Sequence, residues 1–364
     1  MHICFRVDAS KEIGTGHLMR CFTLAEALIE RGARVTFLCR HLPEEFHGRF
    51  QTLKMDCVIL NLEGNSQAKN PSNQYTQWLG VPPEVDAIDV ASVLPDLVPP
   101  VDWVVVDHYA LDAEWEIQIR PFCKQLMAID DLHRPHACEI LLDQNLQEGG
   151  KNLYNKIVPE GSLALLGPAY ALLRPQFLEA RQKLSPKNGS LDRILVFFGG
   201  TDSSNNTLKA VKAARTFNRD IALDIVPGVF YPYRDELNSF CADLESVTIH
   251  DGPDMTQLMQ AADLALGSPG STTWERMVLG LPAVVVISAD NQDAVAKQAH
   301  NQGTLINLGD EKNVSEEDWV EILNNLSTNP TLLSEMSEKG MKLLDGQGTR
   351  RVAEILMLTK SASS

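Results

Sequence analysis

The chain opens on a strand-like run, His2 to Ala9, that breaks into Ile13-Gly14-Thr15-Gly16-His17 and continues as an amphipathic stretch from Leu18 to Arg31. Leu18, Cys21, Phe22, Leu24, Ala25 and Leu28 recur there at helical spacing, with polar residues between them. Strand, glycine turn and helix in this order leave few solutions, and a doubly wound α/β domain begins this way. Glycines let backbone pass close to a ligand, and a helix N-terminus offers free N–H groups to an anion. His17 falls at the carboxyl end of the first strand, where such sheets bind ligands. Its imidazole is the one side chain that titrates near neutral pH unperturbed. The expectation is a catalytic base beside an anion site, with Gly14 and Gly16 shaping the turn. The alternative is a plain tight turn with a polar first-turn histidine.

Composition narrows what the chain can meet. The net charge is −16 and no basic cluster offsets it, which argues against nucleic acid or an anionic membrane as partner. A small anion is still possible, because backbone N–H groups hold anions without Lys or Arg. No basic segment followed by an apolar core marks a signal peptide, and no apolar run approaches a membrane span. The seven cysteines are odd in number, widely spaced and without C-x-x-C, as expected of reduced core residues in a cytoplasmic protein.

Strand-like and helix-like runs alternate twice along the chain, so parallel sheets are expected. The first series has strands near residues 3, 35, 57, 103, 126, 140 and 163, with helices over 18–31, 44–54 and 112–124. The polar segment 61–83 reads as a long loop, and 182–190 (QKLSPKNGS) as a linker. A second series starts at Arg193–Phe198 and closes with helical segments near 331–344 and 348–357. The expected domains are 1–181, which holds the His17 turn, and 191–345, joined by 182–190. A helix in 346–364 is expected to pack back on the first domain. The fold class is α/β, with two doubly wound Rossmann-like domains facing across a cleft.

Several strand ends carry chemistry. Gly199-Gly200-Thr201-Asp202 follows a buried-type strand and precedes a helix, which suits a pyrophosphate held by N–H groups and the Thr201 hydroxyl. Gly267 to Thr272 repeats the arrangement, with Ser271 or Thr272 as N-cap and Glu275 one turn into the helix. A carboxylate there can accept hydrogen bonds from ribose hydroxyls or merely complement the helix dipole. Asn291 and Gln292 sit at a third strand end. In the first half, Asp107-His108-Tyr109 and Asp130-Asp131 do so too, and they can contact a sugar or steer a water. Asp and His are dense enough there to raise a divalent metal, but no paired-histidine helix motif is present, so no metal is expected.

Read together, the motifs resemble a known family. They are R-x-D-A-S at 6–10, I-G-T-G-H-x-x-R-C at 13–21, D-H-Y at 107–109 and I-D-D-x-x-x-x-P-H-x-C-x-I-L-L-D at 129–143 with Asn145. G-P-x-Y-A-L-L-R at 167–174, G-G-T-D at 199–202 and N-Q at 291–292 complete them. The chain resembles the UDP-sugar hydrolases of pseudaminic acid biosynthesis, which release UDP from UDP-2,4-diacetamido-2,4,6-trideoxy-β-L-altropyranose. The resemblance implies the glycosyltransferase-B fold, shared with the lipid II N-acetylglucosaminyltransferase. It implies His17 as catalytic base, Gly14, Gly16, Asp107 and Tyr109 on the sugar side, and Gly199, Gly200 and Thr201 as the phosphate loop. Ser271, Thr272, Glu275, Asn291 and Gln292 complete the implied UDP site. Trp274 departs from the family, which often has Asn before the glutamate. A monomer acting on a small-molecule UDP-sugar, with neither cofactor nor metal, is expected. The alternatives are a UDP-sugar glycosyltransferase and a non-catalytic nucleotide-sugar-binding protein.

Overall fold

The computed structural model describes residues 1–61, 75–146 and 153–358. The chain forms two compact units. The first takes in Met1–Asn145, the run ending at Leu172 and the closing helix from Gly348; the second is Leu173–Gln347.

The first unit contains β1 (His2–Val7), α1 (Gly16–Glu30), β2 (Arg34–Cys39), α2 (His47–Leu53), β3 (Asp56–Ile59), α3 (Thr76–Leu79) and α4 (Pro83–Val93). After these come β4 (Trp103–Asp107), α5 (Ala113–Ile119), β5 (Gln125–Ile129), β6 (Ile140–Asp143) and β7 (Leu163–Leu166). The sheet is parallel, in the order β3-β2-β1-β4-β5-β6-β7. All six residues of β1 are buried, because helices cover both faces of a parallel sheet. On one face Phe5 stacks on Phe37 at 5.0 Å, and Phe22 of α1 meets Phe37 at 5.2 Å and Phe50 at 4.8 Å.

On the other face, α4 and α5, with Trp115 of α5, pack over Val104 and Val106. Arg6 lies fully buried in the sheet among partners of opposite charge. It donates to Asp8 at 2.7 and 2.9 Å and to Asp86 at 2.7 and 3.1 Å. Arg40 donates to Asp86 at 3.0 and 3.2 Å and to Asp89 at 2.7 Å, and Trp115 Nε1 donates to Asp86 at 3.0 Å. Burial pushes the Asp8 carboxyl up, but Arg6 outweighs it and brings the group down to about 2. The cluster ties α4 to β1 and β2 beneath the carboxyl end of β1.

The second unit runs α6 (Pro175–Arg181), β8 (Arg193–Phe197), α7 (Asn206–Phe217), β9 (Ala222–Ile225), α8 (Arg234–Cys241), β10 (Val247–Ile249), α9 (Met255–Ala261) and β11 (Leu264–Gly267). It ends with α10 (Thr272–Val278), β12 (Ala283–Ile287), α11 (Asp293–Asn301), β13 (Ile306–Asp310), α12 (Glu316–Ser327) and α13 (Pro330–Leu343). Its parallel sheet has the order β10-β9-β8-β11-β12-β13, the Rossmann arrangement. Both units are thus doubly wound. Helix α14 (Gly348–Leu358) belongs to the first unit and packs on α1.

Two sequence expectations need correction. The 61–83 segment is not loop throughout: Thr76 and Leu79 are buried and draw a short helix, and Pro83 starts α4. Proline is favoured there because its missing N–H has no helical partner to lose. Residues 62–74 lie outside the described residues. The unit boundary falls at Leu172, ahead of the expected linker. Helix α6 packs on α9 and α10, and Lys187 donates its backbone N–H to Ser337 Oγ at 2.8 Å, so 182–190 is anchored to the second unit. Among the described residues, no helix is long and apolar enough to cross a membrane.

Asp86→Ala should destabilise the chain by about 3–5 kcal/mol, because it removes a carboxylate shared by two buried guanidinium groups, Arg6 and Arg40. Asp56→Ala, which breaks an exposed pair with Arg34, should cost less than about 1 kcal/mol. Denaturant unfolding of both variants checks this; equal losses would contradict it.

Candidate active site

Strands β1 and β4 are neighbours from which the chain departs to opposite sides of the sheet. This is the switch point where doubly wound sheets hold ligands. The turn after β1 bridges Ser10 to Gly14, with the Gly14 N–H donating to the Ser10 carbonyl at 2.8 Å. Gly14 adopts φ of +77°, which other residues rarely adopt. Gly16 then begins α1. Thr15 supplies no side-chain cap and the first turn holds no acidic residue, so the N-terminus of α1 carries no carboxylate of its own.

Helix α1 projects His17 and Arg20 from one face, three residues apart, onto the end of β4. His17 Nδ1 lies 2.6 Å from Asp107 Oδ1. Arg20 grips the same carboxylate twice, Nε to Oδ2 and Nη2 to Oδ1, each at 2.6 Å. Cys21 Sγ donates to Oδ2 at 3.4 Å. Asp107 is fully buried. Burial raises its carboxyl, but Arg20 and then His17 overcome this and hold it well below the usual carboxylate range. An ionised Asp107 can only accept, so Nδ1 carries a proton and Nε2 is the ring nitrogen turned away from it. Asp107, expected on the sugar side, has no exposed surface and is paired with His17 and Arg20.

Tyr109 stands edge-on to His17, with ring centroids 4.6 Å apart and planes at 90°. Its hydroxyl donates to Asp131 Oδ1 at 2.7 Å, and Asn145 Nδ2 donates to Asp131 Oδ2 at 2.6 Å. Asp131 is raised by burial against the opposing pull of Arg20. The loop after β5 clamps this strand end. Arg134 donates to Asp130 at 2.8 Å and to the backbone carbonyls of His108 and Tyr109. His136 is buried with Nδ1 2.6 Å from Glu116 Oε1 and Nε2 3.5 Å from Asp130 Oδ1. Burial alone lowers its pKa, but Asp130 and Glu116 raise it to about 9. Among the described residues, no group of three or more His, Cys, Asp or Glu is arranged to hold a metal ion.

The corresponding switch point of the second unit lies between β8 and β11. Gly199 and Gly200 end β8, with Gly199 at φ of +89°. The turn is packed backbone on backbone. A Cβ on Gly228 would collide with the carbonyls of Gly199 and Gly200, and one on Gly267 with the carbonyl of Phe197. Helix α7 is not open to an anion as expected. Asp202 accepts from the N–H groups of Asn206 at 2.9 Å and Thr207 at 2.7 Å, so these two are already taken. After β11, Ser271 is exposed and Thr272 half-buried, and Ser271 makes no side-chain cap to α10. Arg276 is buried beneath, donating to the Ser268 carbonyl at 2.9 Å and to Thr273 Oγ1 at 3.1 Å.

Glu275 accepts from Arg174 at 3.2 Å and is raised by burial against the pull of Arg174. Trp274, where the family often has Asn, turns into the core and is 2% exposed. Asn291 is exposed on the turn after β12. Gln292 closes its own turn, its carbonyl oxygen accepting from the backbone N–H of Ser288 at 3.0 Å and from its hydroxyl at 3.2 Å.

Sequence reasoning passed over Arg20, Asn145, Arg134, Arg174 and Arg276 as partners. Only Arg20 carried a readable signal, its i,i+3 spacing from His17.

Comparison with known proteins places the fold in a class. Residues 194–349 match the sequence profile of the glycosyltransferase family 28 C-terminal domain. Across 98% of this chain and 99% of its own, the MurG crystal structure from Acinetobacter baumannii superposes with a TM-score of 0.64 at 14% identity. The chain is thus a protein of glycosyltransferase-B fold whose second unit carries the family 28 match. Among relatives by sequence, an uncharacterised protein of Methanocaldococcus jannaschii, MJ1062, is 28% identical over 80% of this chain, a match spanning 57% of its own length. The UDP-2,4-diacetamido-2,4,6-trideoxy-beta-L-altropyranose hydrolase of Campylobacter jejuni is 23% identical over 83% of this chain and 97% of its own.

The His136 pKa carries a stability signature. A histidine raised in the folded state stabilises fully below its ordinary value of 6.5, and the gain is lost as pH rises through about 9. The gap in unfolding free energy between the wild type and His136→Gln should therefore be widest at pH 6 and shrink towards pH 9. A gap independent of pH would contradict the charged assignment.

Proposed function

We propose that the chain hydrolyses a UDP-linked diacetamido-trideoxy sugar to the free sugar and UDP, as in pseudaminic acid biosynthesis. The observation that carries this reading is the His17–Asp107 pair at a switch point, with Nε2 left free to take a proton. A module that only binds needs no oriented base. The similarity to the Campylobacter hydrolase, which spans nearly all of that protein, supports water as the acceptor.

In this reading, water attacks the anomeric carbon and gives its proton to His17 Nε2. The bond from that carbon to the UDP oxygen breaks, and the electron pair leaves with UDP. Backbone N–H groups of the Gly199–Thr201 and Ser268–Thr272 turns stabilise the growing charge. One direct displacement inverts the anomeric centre. Glu275, released from Arg174, takes the ribose hydroxyls, and Asn291 meets the substrate. No resident cofactor is invoked. The same base would serve an acceptor hydroxyl as well as water, which makes a UDP-sugar glycosyltransferase the second reading.

The test is UDP release from a panel of UDP-sugars, with and without acceptor alcohols. Release in buffer alone supports hydrolysis; release only with an acceptor supports transfer. His17→Ala should lower turnover by about 100- to 10,000-fold while UDP still binds. Wild-type turnover in that variant would make His17 structural. Glu275→Ala should weaken UDP binding by about 1.5–3 kcal/mol in calorimetry, the value of a charge-assisted hydrogen bond. Unchanged UDP affinity would exclude the ribose role.

A further inference from the structure

A water molecule brings two hydrogens to the sugar carbon, and His17 can take only one of them. Asp107, Asp130, Asp131 and Asp143 stand at the carboxyl ends of β4, β5 and β6, the end of the sheet at which His17 lies. Asp107, Asp130 and Asp143 are at most 2% exposed. His17 and Arg20 hold Asp107, Arg134 and the Leu132 N–H hold Asp130, and Tyr154 and the Asn145 N–H hold Asp143. Asp131 differs in exposure and in partners. It is half-buried, and its hydrogen-bond partners among the described residues are two neutral donors, one on each oxygen. The Tyr109 hydroxyl meets Oδ1 at 2.7 Å and Asn145 Nδ2 meets Oδ2 at 2.6 Å. A carboxylate oxygen accepts more than one hydrogen bond, so both keep capacity to accept another. Buried Tyr109 acts as the spacer, its ring edge-on to His17 at 4.6 Å and its hydroxyl on Asp131. Burial raises the Asp131 carboxyl, and Arg20 and His17 are near enough to oppose that.

We propose that Asp131 accepts the second hydrogen of the attacking water, and that this second acceptor admits water in place of an alcohol. This deepens the reading above and rests on it for the reaction at His17. The water oxygen attacks the anomeric carbon, and one hydrogen passes as a proton to His17 Nε2. The other stays on the oxygen, hydrogen-bonded to Asp131, as the new hydroxyl of the free sugar. The bond to UDP breaks and its electron pair leaves with UDP. An alcohol has a single hydroxyl hydrogen. Once that hydrogen faces His17, carbon faces Asp131, and the carboxylate is desolvated without gaining a donor.

The test uses the full chain and UDP-2,4-diacetamido-2,4,6-trideoxy-β-L-altropyranose in aqueous methanol. Mass spectrometry measures the methyl glycoside and the free sugar formed. In Asp131→Asn, which keeps the shape and loses the charge, the ratio of glycoside to free sugar should rise by about 10-fold over the wild type, the value of one hydrogen bond to a charged group. Tyr109→Phe, which removes one of the donors that hold Asp131, should raise the ratio by less. The ratio is independent of the amount of folded protein, so a merely structural Asp131 would lower both products and leave it unmoved. A wild-type ratio in Asp131→Asn overturns the proposal. If that variant does not fold, a wild-type ratio in Tyr109→Phe overturns it. Hydrolysis by the wild type in buffer, with a ratio that neither substitution moves, leaves the hydrolase reading standing and sinks the proposal alone. UDP release by the wild type only when methanol is present sinks both.

Discussion

A carboxylate with no exposed surface is costly unless its charge is answered on every side, and Asp107 meets that condition only if α1 sits in one place. Arg20 must grip both oxygens and His17 must present Nδ1 at 2.6 Å. The register of β1 against β4, with Val7 opposite Asp107, brings the strand ends to the same level. The buried Arg6–Asp8–Asp86–Arg40 cluster then fixes β1, β2 and α4 beneath them. The electrostatics that hold the first unit together thus also set which nitrogen of His17 faces Asp107.

The second unit answers a different demand. A turn that holds an anion through backbone N–H groups must bring backbone close to the ligand and to its own neighbours. Gly228 and Gly267 pack so tightly that any side chain there would strike a carbonyl. Arg276 braces the second turn from below through the Ser268 carbonyl. Asp202 accepts from the first N–H groups of α7.

Much of this was legible in the residue order. Strand, glycine turn and helix recur wherever apolar runs end in Gly, Ser or Asp, so both sheets and the turns bearing His17, Gly199 and Ser271 could be placed. Partnership was harder to read. Asp107 looked like a sugar contact because a polar strand end in sequence does not reveal its burial; only the pairing of β4 with β1 brings Arg20 onto it. Gln292 looked free because a turn of its own length hides the bond back to Ser288. Helix α3 was lost in a polar segment because four residues are too few for a helical period to show.

The central claim is that a base held by Asp107 directs water to the sugar carbon. Initial-rate reaction of the UDP-diacetamido-trideoxy sugar in oxygen-18 water, followed by mass spectrometry of both products, tests it most directly. The account predicts label only in the free sugar, on carbon 1, with UDP unlabelled. Label in UDP, or UMP among the initial products, would show attack at phosphorus and contradict the role given to His17.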